Sequence, residues 1–306
     1  MSERYLKIIE KLKKSELIIH DGAIGTELQK RGVSMDGSWC GTASLQDNIL
    51  KQVHTDYILA GSQIITTNTY ASSRIMLKSA GFEKRFKEVN LKAVESALKA
   101  REETGYKDVI VAGSISHRYP IADGDTISNA SIQVSKLELQ EATEEMALLL
   151  TNNGCDIILL EMMYRPERMK IIFDIVKKLN IPIWVCFSCR KSEKGEILSL
   201  TDETIVPFSE MITISKEYNF DALGIMHTSE DILEECINMI KTNFNGPILA
   251  YPDTGGWLSP NWIFDNVIEP EKFREKAKDW YALGAQIIGG CCGTSPDHIR
   301  ALNTLK

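Results

Sequence analysis

Eight short apolar runs recur along this chain, and they constrain its fold more than any other feature. The runs are rich in Ile, Val and Leu and are mostly apolar, rather than alternating regularly between apolar and polar residues. A continuous apolar run indicates a strand that is buried on both faces of a parallel sheet. The runs occupy residues 17–19, 64–67, 109–112, 157–160, 183–187, 222–225, 247–251 and 285–288.

The segments between the runs carry apolar residues at helical spacing with charges between them. Strands that alternate with helices predict right-handed βαβ units, and eight such units in 306 residues predict a (β/α)8 TIM barrel as a single domain over 1–306. A doubly wound open sheet is the alternative. The predicted helices occupy residues 50–59, 87–101, 137–150, 165–179, 205–217, 230–240 and 270–283.

Composition narrows the class of partner. The chain is 43% hydrophobic and 25% charged with a formal net charge of −7, as in ordinary globular proteins. The absence of a long basic block argues against nucleic acid or an anionic membrane, and no apolar run reaches the roughly 20 residues of a membrane span. Seven scattered cysteines and no secretory leader favour a reduced, cytoplasmic protein. Homo-oligomerisation is left open.

Two adjacent cysteines, Cys291 and Cys292, follow the eighth run with two glycines before them and one after, and His227 follows the sixth run. The carboxyl ends of all strands meet at one face of a (β/α)8 barrel, so these three side chains are expected to share one ion. One imidazole and two thiolates form a three-ligand zinc set with an open fourth position, which is typical of catalytic sites. The alternatives are a buried pair of small residues, a vicinal disulfide, and a loop histidine bound to backbone. The second Cys pair, Cys186 and Cys189, has CxxC spacing but no neighbouring pair that would complete a Cys₄ set.

Other strand ends carry groups that suit an amino-acid substrate. Asp21 and Glu161 follow the first and fourth runs, where they can cap helices or bind a substrate ammonium group. Thr67 and Asn68 can bind a substrate carboxylate or the barrel backbone. Trp39, in the loop after the first strand, can hold an onium methyl donor by cation–π attraction or simply pack on a helix.

With these motifs in place, the chain resembles the zinc-dependent homocysteine S-methyltransferase family, which includes the betaine–homocysteine and S-methylmethionine–homocysteine enzymes. The resemblance runs from about residue 17 to residue 302. It is carried by the motifs DGAIGTEL at 21–28, TTNTY at 66–70, Glu161, YPDTG at 251–255 and GGCCGTSPDHI at 289–299.

The resemblance implies a barrel with zinc at its mouth, held by three cysteines and joined by the homocysteine sulfur. Cys291 and Cys292 match two of those cysteines, whereas His227 stands in place of the first and Met226 in place of the preceding asparagine. A neutral imidazole makes the metal centre less negative, which should acidify a bound thiol more strongly and leave its sulfur a weaker nucleophile.

The same resemblance implies roles around the metal. Asp21, Gly22, Thr67, Asn68 and Glu161 are expected to contact the acceptor, with Asp21 and Glu161 on its amino group. The segment 36–39 resembles the donor-side loop. The residues expected on the side of the methyl donor are Trp39, Tyr251 and Asp253, the last of which replaces the usual asparagine.

The sequence therefore predicts zinc-dependent methyl transfer from a small onium compound to homocysteine, giving methionine. Because no folate or corrinoid module follows the barrel, the expected donor is a free small molecule: betaine, S-methylmethionine, S-adenosylmethionine or dimethylsulfoniopropionate. The alternatives are methylation of another thiol or a selenol, and a non-catalytic barrel that binds metal or senses thiol oxidation at Cys291 and Cys292.

Overall fold

The structure is a computed structural model, and it describes residues 1–35, 38–46, 48–120, 133–201, 203–258 and 261–306, with the backbone alone at 257 and 258. Its centre is an eight-stranded parallel sheet, and its strands lie side by side in the order Ile18–Ile19, Ala285–Ile288, Ile248–Asp253, Ala222–Ser229, Ile183–Phe187, Ile157–Met163, Ile110–Ser116 and Ile64–Thr66. A parallel bridge between His20 and Ile64 brings the first strand back to the second, so the sheet is nearly closed. The predicted barrel is confirmed.

All eight apolar runs form barrel strands. The strands are β1 Ile18–Ile19, β2 Ile64–Thr66, β3 Ile110–Ser116, β4 Ile157–Met163, β5 Ile183–Phe187, β6 Cys189–Lys191, β7 Ile197–Ser199, β8 Ala222–Ser229, β9 Ile248–Asp253, β10 Gly256–Leu258, β11 Asn261–Ile263 and β12 Ala285–Ile288. The helices are α1 Glu3–Lys13, α2 Ile24–Lys30, α3 Ile49–Ala60, α4 Arg74–Ser79, α5 Phe86–Thr104, α6 Lys136–Asn152, α7 Pro166–Val176, α8 Phe208–Ser215, α9 Leu233–Lys241, α10 Pro270–Leu283 and α11 Pro296–Asn303. Each predicted connecting helix is present.

Alternate residues of each strand pack on opposite sides of the sheet, and both sides are buried, which is why apolar residues occupy successive positions in the runs. Ile18, Ile64, Ile110 and Ile157 belong to the cluster inside the barrel, whereas their neighbours along the strands pack under the surrounding helices. Helix α1, capped by Ser2, closes the bottom of the barrel by adding Tyr5, Ile8 and Leu12 to the inner cluster.

Two antiparallel hairpins extend the barrel and were not foreseen from the apolar runs. Strands β6 and β7 form one, and β10 and β11 form the other. Gln29 fixes the second hairpin, because its side-chain amide donates to Trp262 O at 3.0 Å and its amide oxygen accepts from Trp262 N at 2.9 Å. A side chain at Gly25 would meet the Trp262 ring at 2.6 Å, so the close approach of α2 to this hairpin requires glycine there.

The two cysteines of the CxxC pair face different sides of the sheet. Cys186 lies in the inner cluster and Cys189 in the outer one. All seven cysteines are described, and none is in a disulfide. Within the described ranges, no helix combines the length and the apolar character needed to cross a membrane.

Candidate metal centre and substrate cavity

The three residues predicted to bind metal meet at the barrel mouth. His227 Nδ1 lies 3.8 Å from the sulfur of Cys291 and 3.8 Å from that of Cys292, and the two sulfurs are 3.8 Å apart. Among the described residues, this is the one group of three or more His, Cys, Asp or Glu side chains whose ligand atoms converge closely enough for one ion.

The triangle fits a tetrahedral soft metal. Zinc–sulfur bonds of about 2.3 Å at tetrahedral angles place two sulfurs about 3.8 Å apart. The observed sulfur–sulfur distance of 3.8 Å therefore needs no rearrangement. One face of the triangle borders a cavity of about 110 Å³, so a fourth ligand can enter.

The local backbone geometry sets the direction of each side chain that could bind the metal. His227 adopts a positive φ of 44°, and the pairing of β8 with β9 shifts register between Met226 and Ser229. A bulge of this kind turns a side chain away from the regular alternation of the strand. At the cysteines, Cys291 N donates to Pro252 O at 2.8 Å, and Gly293, with φ of 89°, turns the chain towards α11.

The environment of the ligands favours the thiolate at Cys292 and the thiol at Cys291. Cys291, His227 and the indole N–H of Trp262, 3.1 Å from Cys292 Sγ, together hold the pKa of the Cys292 thiol well below its usual range. Hydrogen bonding to Cys292 and burial raise the pKa of Cys291. Burial lowers the pKa of His227, but the Asp253 carboxylate and Cys292 outweigh it and raise that pKa to about 9. Metal binding should therefore displace protons from this site.

Two residues expected on the donor side, Asp253 and Tyr251, have polar partners among the other site residues, and their contact with the donor stays a prediction. Asp253 Oδ2 lies 3.3 Å from His227 Nδ1, and its Oδ1 accepts from Gly255 N at 3.1 Å, so this carboxylate belongs to the metal centre. Burial raises the pKa of Asp253 to about 7. Tyr251 donates its hydroxyl to Asp21 Oδ1 at 2.9 Å and to Gly22 O at 3.0 Å, which places it beside the predicted acceptor site.

Asp21 and Glu161 are buried carboxylates on the cavity side of the barrel. Asp21 is fully buried and accepts from Thr66 N at 2.7 Å as well as from Tyr251. Burial raises the pKa of Asp21 to about 8 and that of Glu161 to about 7. Glu161 precedes Met162, whose φ is 51°, at a second register shift between β4 and β5. Within the described ranges neither acid pairs with Lys or Arg, and the His20 imidazole 3.5 Å from Asp21 has its pKa lowered to about 3 by burial, so both carboxyl groups are suited in charge to a substrate ammonium group.

The other residues predicted for the acceptor line the cavity in different ways. Gly22, Thr67 and Asn68 all contribute to its wall. The Thr67 hydroxyl accepts from Ser114 N at 3.2 Å, so it supports the barrel backbone. Asn68 donates to Cys40 O at 2.9 Å and fixes the loop that carries Trp39.

Trp39 lines the cavity, but one face of its indole is already occupied. The Arg118 guanidinium carbon lies 3.8 Å from the ring centroid. Trp39 has φ of 50°, and its ring makes an edge contact with Trp262 at 6.1 Å. Asp36 and Gly37, the other members of the predicted donor-side segment, lie outside the described residues.

Two residues of this site were not found from the sequence. Trp262 lies in a hairpin with no strong apolar run, and Arg118 follows β3 in a segment without a motif. The rule that selected Glu161 and His227 could not find Arg118, because the predicted third strand ends at residue 112 and the observed strand continues to Ser116.

The fold and site define a (β/α)8 barrel with a His/Cys/Cys triangle suited to a soft metal at its mouth and two buried carboxyl groups nearby. Residues 18–305 match the family profile described as homocysteine S-methyltransferase. Homocysteine S-methyltransferase 1 of Arabidopsis thaliana is 27% identical over 303 residues, covering 92% of this chain and 91% of the relative. Homocysteine S-methyltransferase YbgG of Bacillus subtilis is 27% identical over 301 residues, covering 94% and 93%.

Among solved structures, the metallated form of the homocysteine methyltransferase MmuM from Escherichia coli superposes with a TM-score of 0.80 at 24% identity, covering 97% of this chain and 99% of that one. The fold is therefore shared along the whole barrel. The chain belongs to the homocysteine S-methyltransferase family and is an S-methyltransferase of that type.

Proposed function

We propose that this enzyme transfers a methyl group from a small onium donor to the thiol of homocysteine, giving methionine, and that it uses zinc. The observation that carries the proposal is the triangle of His227 Nδ1 and the sulfurs of Cys291 and Cys292 with 3.8 Å edges, opening into the cavity that Glu161 lines. The solved structure of a relative in a metallated form supports a metal-dependent reaction.

Bound zinc would lower the pKa of the acceptor thiol and keep it as a thiolate at neutral pH. The protein's own side chains bind and orient the two substrates. Asp21 and Glu161 bind the acceptor's ammonium group, and that cation keeps both acids ionised when the site is filled. Tyr251 orients Asp21 through its hydroxyl, at 2.9 Å. The half-enclosed cavity holds donor and acceptor together, which supplies proximity.

The transfer is an in-line displacement without a covalent enzyme intermediate. The acceptor sulfur supplies the electron pair for the new S–CH₃ bond. The bond between the methyl carbon and the donor's onium nitrogen or sulfur breaks, and its electron pair stays on the donor, which leaves as a neutral amine or sulfide group. The thiol proton is released to solvent.

The first test is metal content together with activity. We expect about one zinc per chain in reduced protein, loss or strong weakening of binding in His227→Ala, and loss of turnover in Cys292→Ser, because each removes one ligand. Cys155→Ser is the control, since Cys155 lies under the helices in the outer cluster and should leave both properties unchanged. Activity of Cys292→Ser close to that of the wild type would refute the proposal.

A second candidate is methylation of a different thiol or a selenol. It is favoured by Met226, which lines the cavity with an apolar side chain where the resemblance implies asparagine. A screen of thiols and selenols with one donor distinguishes the two, because the preferred acceptor should exceed homocysteine in kcat/KM. If the protein binds no zinc even after reconstitution, thiol titration before and after mild oxidation would instead test a redox role for Cys291 and Cys292.

The implied partners are two small molecules, the acceptor and the donor. A cytoplasmic location and any homo-oligomer remain predictions from the sequence.

A further inference from the structure

His20 is a fully buried histidine at the seam where the barrel closes. It directly follows β1, its backbone N–H donates to Ile288 O at 2.8 Å, and it forms the parallel bridge to Ile64. None of its surface is exposed, and burial lowers its pKa to about 3. The imidazole is therefore neutral at physiological pH and carries a single N–H.

The hydrogen bonds around the ring indicate which nitrogen holds that proton. His20 Nε2 lies 2.9 Å from Thr66 Oγ1, and Nδ1 has no hydrogen-bonding partner among the described residues. Thr66 has one hydroxyl proton, and it donates this proton to Asp21 Oδ1 at 3.2 Å. Because the hydroxyl cannot donate twice, the bond between Thr66 and His20 is donated by the imidazole, so Nε2 holds the proton.

The three residues thus form a chain of hydrogen bonds that ends on Asp21. It runs from His20 Nε2–H to Thr66 Oγ1 and from the Thr66 hydroxyl to Asp21 Oδ1. Thr66 also donates its backbone N–H to Asp21 Oδ2 at 2.7 Å, so one residue contacts both carboxylate oxygens. Without His20, the Thr66 hydroxyl would be free to rotate, and its bond to Asp21 would no longer be enforced.

The second hydroxyl that contacts Asp21 is less strictly committed to it. The Tyr251 hydroxyl lies 2.9 Å from Asp21 Oδ1 and 3.0 Å from Gly22 O, so two acceptors compete for its single proton. His20 packs against the same tyrosine, with 5.0 Å between the ring centroids. The His20 ring therefore contacts both residues whose hydroxyls hold Asp21 in place.

Charge alone does not fix the direction of the Asp21 carboxylate. Among the described residues, the titratable groups that interact with it are His20 beside it, Tyr251 from β9, Tyr57 from α3 and Glu161 from β4. None of these groups is a cation at neutral pH. Hydrogen bonds therefore hold the carboxylate in place until a substrate ammonium group binds.

We propose that His20 is a positioning residue for the acceptor: through Thr66 it orients the Asp21 carboxylate towards the acceptor's ammonium group. This inference rests on the proposed function, in which Asp21 binds that group. Thr66 and Tyr251, which both donate to Asp21, line the reaction cavity, whereas His20 is not part of the cavity wall. His20 therefore acts on the acceptor only through these neighbours.

The first test measures the binding of two ligands that differ only in the ammonium group. Homocysteine is compared with 4-sulfanylbutanoate, which keeps the thiol and the carboxylate, by calorimetric titration into zinc-loaded protein. In His20→Leu we expect the affinity for homocysteine to fall on the order of 3- to 10-fold, which is the effect of one lost hydrogen bond. The affinity for 4-sulfanylbutanoate should not change.

A conservative variant and a matched control separate this role from a structural one. His20→Gln retains an N–H donor near the place of Nε2 and should keep most of the affinity for homocysteine. His54→Leu removes another fully buried histidine, whose pKa burial also lowers to about 3 and which forms no hydrogen bond through its ring among the described residues, so it should change neither affinity. Equal weakening of both ligands in His20→Leu, or equal loss in His20→Leu and His20→Gln, would overturn the proposal.

A spectroscopic measurement tests the hydrogen-bond chain without any substrate. In protein labelled with nitrogen-15 at histidine, the His20 signals are identified by their absence in His20→Gln, and they should show a protonated Nε2 and a bare Nδ1 at neutral pH. A proton on Nδ1 would overturn the proposal, since Nε2 would then accept the Thr66 proton that Asp21 needs. If homocysteine does not bind to the wild type, the proposed function fails, and the nitrogen signals still decide whether His20 directs Thr66 towards Asp21.

Discussion

Trp262 links the metal centre to the cavity wall through one hydrogen bond, which shows how a single residue outside the ligand set can influence it. Its indole N–H donates to Cys292 Sγ at 3.1 Å. The Gln29 side chain forms hydrogen bonds with both the backbone O and the backbone N of Trp262, and Gly25 leaves room for the Trp262 ring. A donor directed at a ligating sulfur stabilises the thiolate and fixes its orientation.

Replacing Trp262 with Phe keeps most of the ring and removes the N–H. We expect zinc affinity to fall about 10-fold or more, as is usual when a partner of a metal ligand is lost. Competition with a chromophoric chelator measures this. Trp280→Phe is the control, because Trp280 is equally buried but packs on Phe273 in the helical layer, so its loss should affect stability alone. Equal zinc affinity in the wild type and Trp262→Phe would show that the hydrogen bond does not support the metal.

Among the elements, helix α1 stands apart from the βα repeat. It closes the bottom of the barrel, at the opposite end from the metal centre, through Tyr5, Ile8 and Leu12. Without it, the inner cluster of apolar strand residues would meet water. The helix therefore stabilises the barrel without contributing to the chemistry.

Ile8→Ala should lower the free energy of unfolding by about 2–5 kcal/mol, because it leaves a cavity in the inner cluster. Leu6→Ala, in the same helix at a position that is 46% exposed, should change it by less than about 0.5 kcal/mol. Urea denaturation measures both. Zinc affinity should be unchanged in each variant, so a loss of metal in Ile8→Ala would mean that α1 also acts on the mouth.

At the scale of the whole molecule, the cavity lowers the free energy of unfolding at neutral pH, because Glu161 in its wall is buried. Burial raises the pKa of Glu161 from 4.5 to about 7. Below pH 4.5 the carboxyl is protonated in both the folded and the unfolded state. Between pH 4.5 and 7 the unfolded state loses this proton while the folded state keeps it, so stability falls as the pH rises. Above pH 7 the loss is complete.

Glu161→Gln removes this titration. In metal-free protein, we expect the stability of the variant relative to wild type to rise by on the order of 3 kcal/mol between pH 4.5 and 7 and to stay constant above that. Denaturation at a series of pH values measures the difference. Glu144→Gln, on the exposed side of α6, is the control and should give a flat difference. A flat difference for Glu161→Gln as well would show that the carboxyl is ionised in the folded protein.

The sequence by itself determined the repeat and therefore the barrel. Continuous apolar runs and helical spacing are local patterns, and parallel closure brings the ends of the strands together wherever the runs lie. For that reason the convergence of His227 with Cys291 and Cys292 could be predicted from their positions after the sixth and eighth strands, and the structure places them together.

Only the tertiary structure decided which neighbour each polar side chain has. The bulges at Met162 and His227, the pairing of Asp253 with His227 and of Tyr251 with Asp21, and the stacking of Arg118 on Trp39 all join distant parts of the chain. Periodicity selects the strand end at which a residue lies, but register shifts and packing between strands set the direction of its side chain. The direction of the side chain decides whether a residue at a strand end faces the methyl donor or a metal ligand. No local sequence pattern specifies this direction.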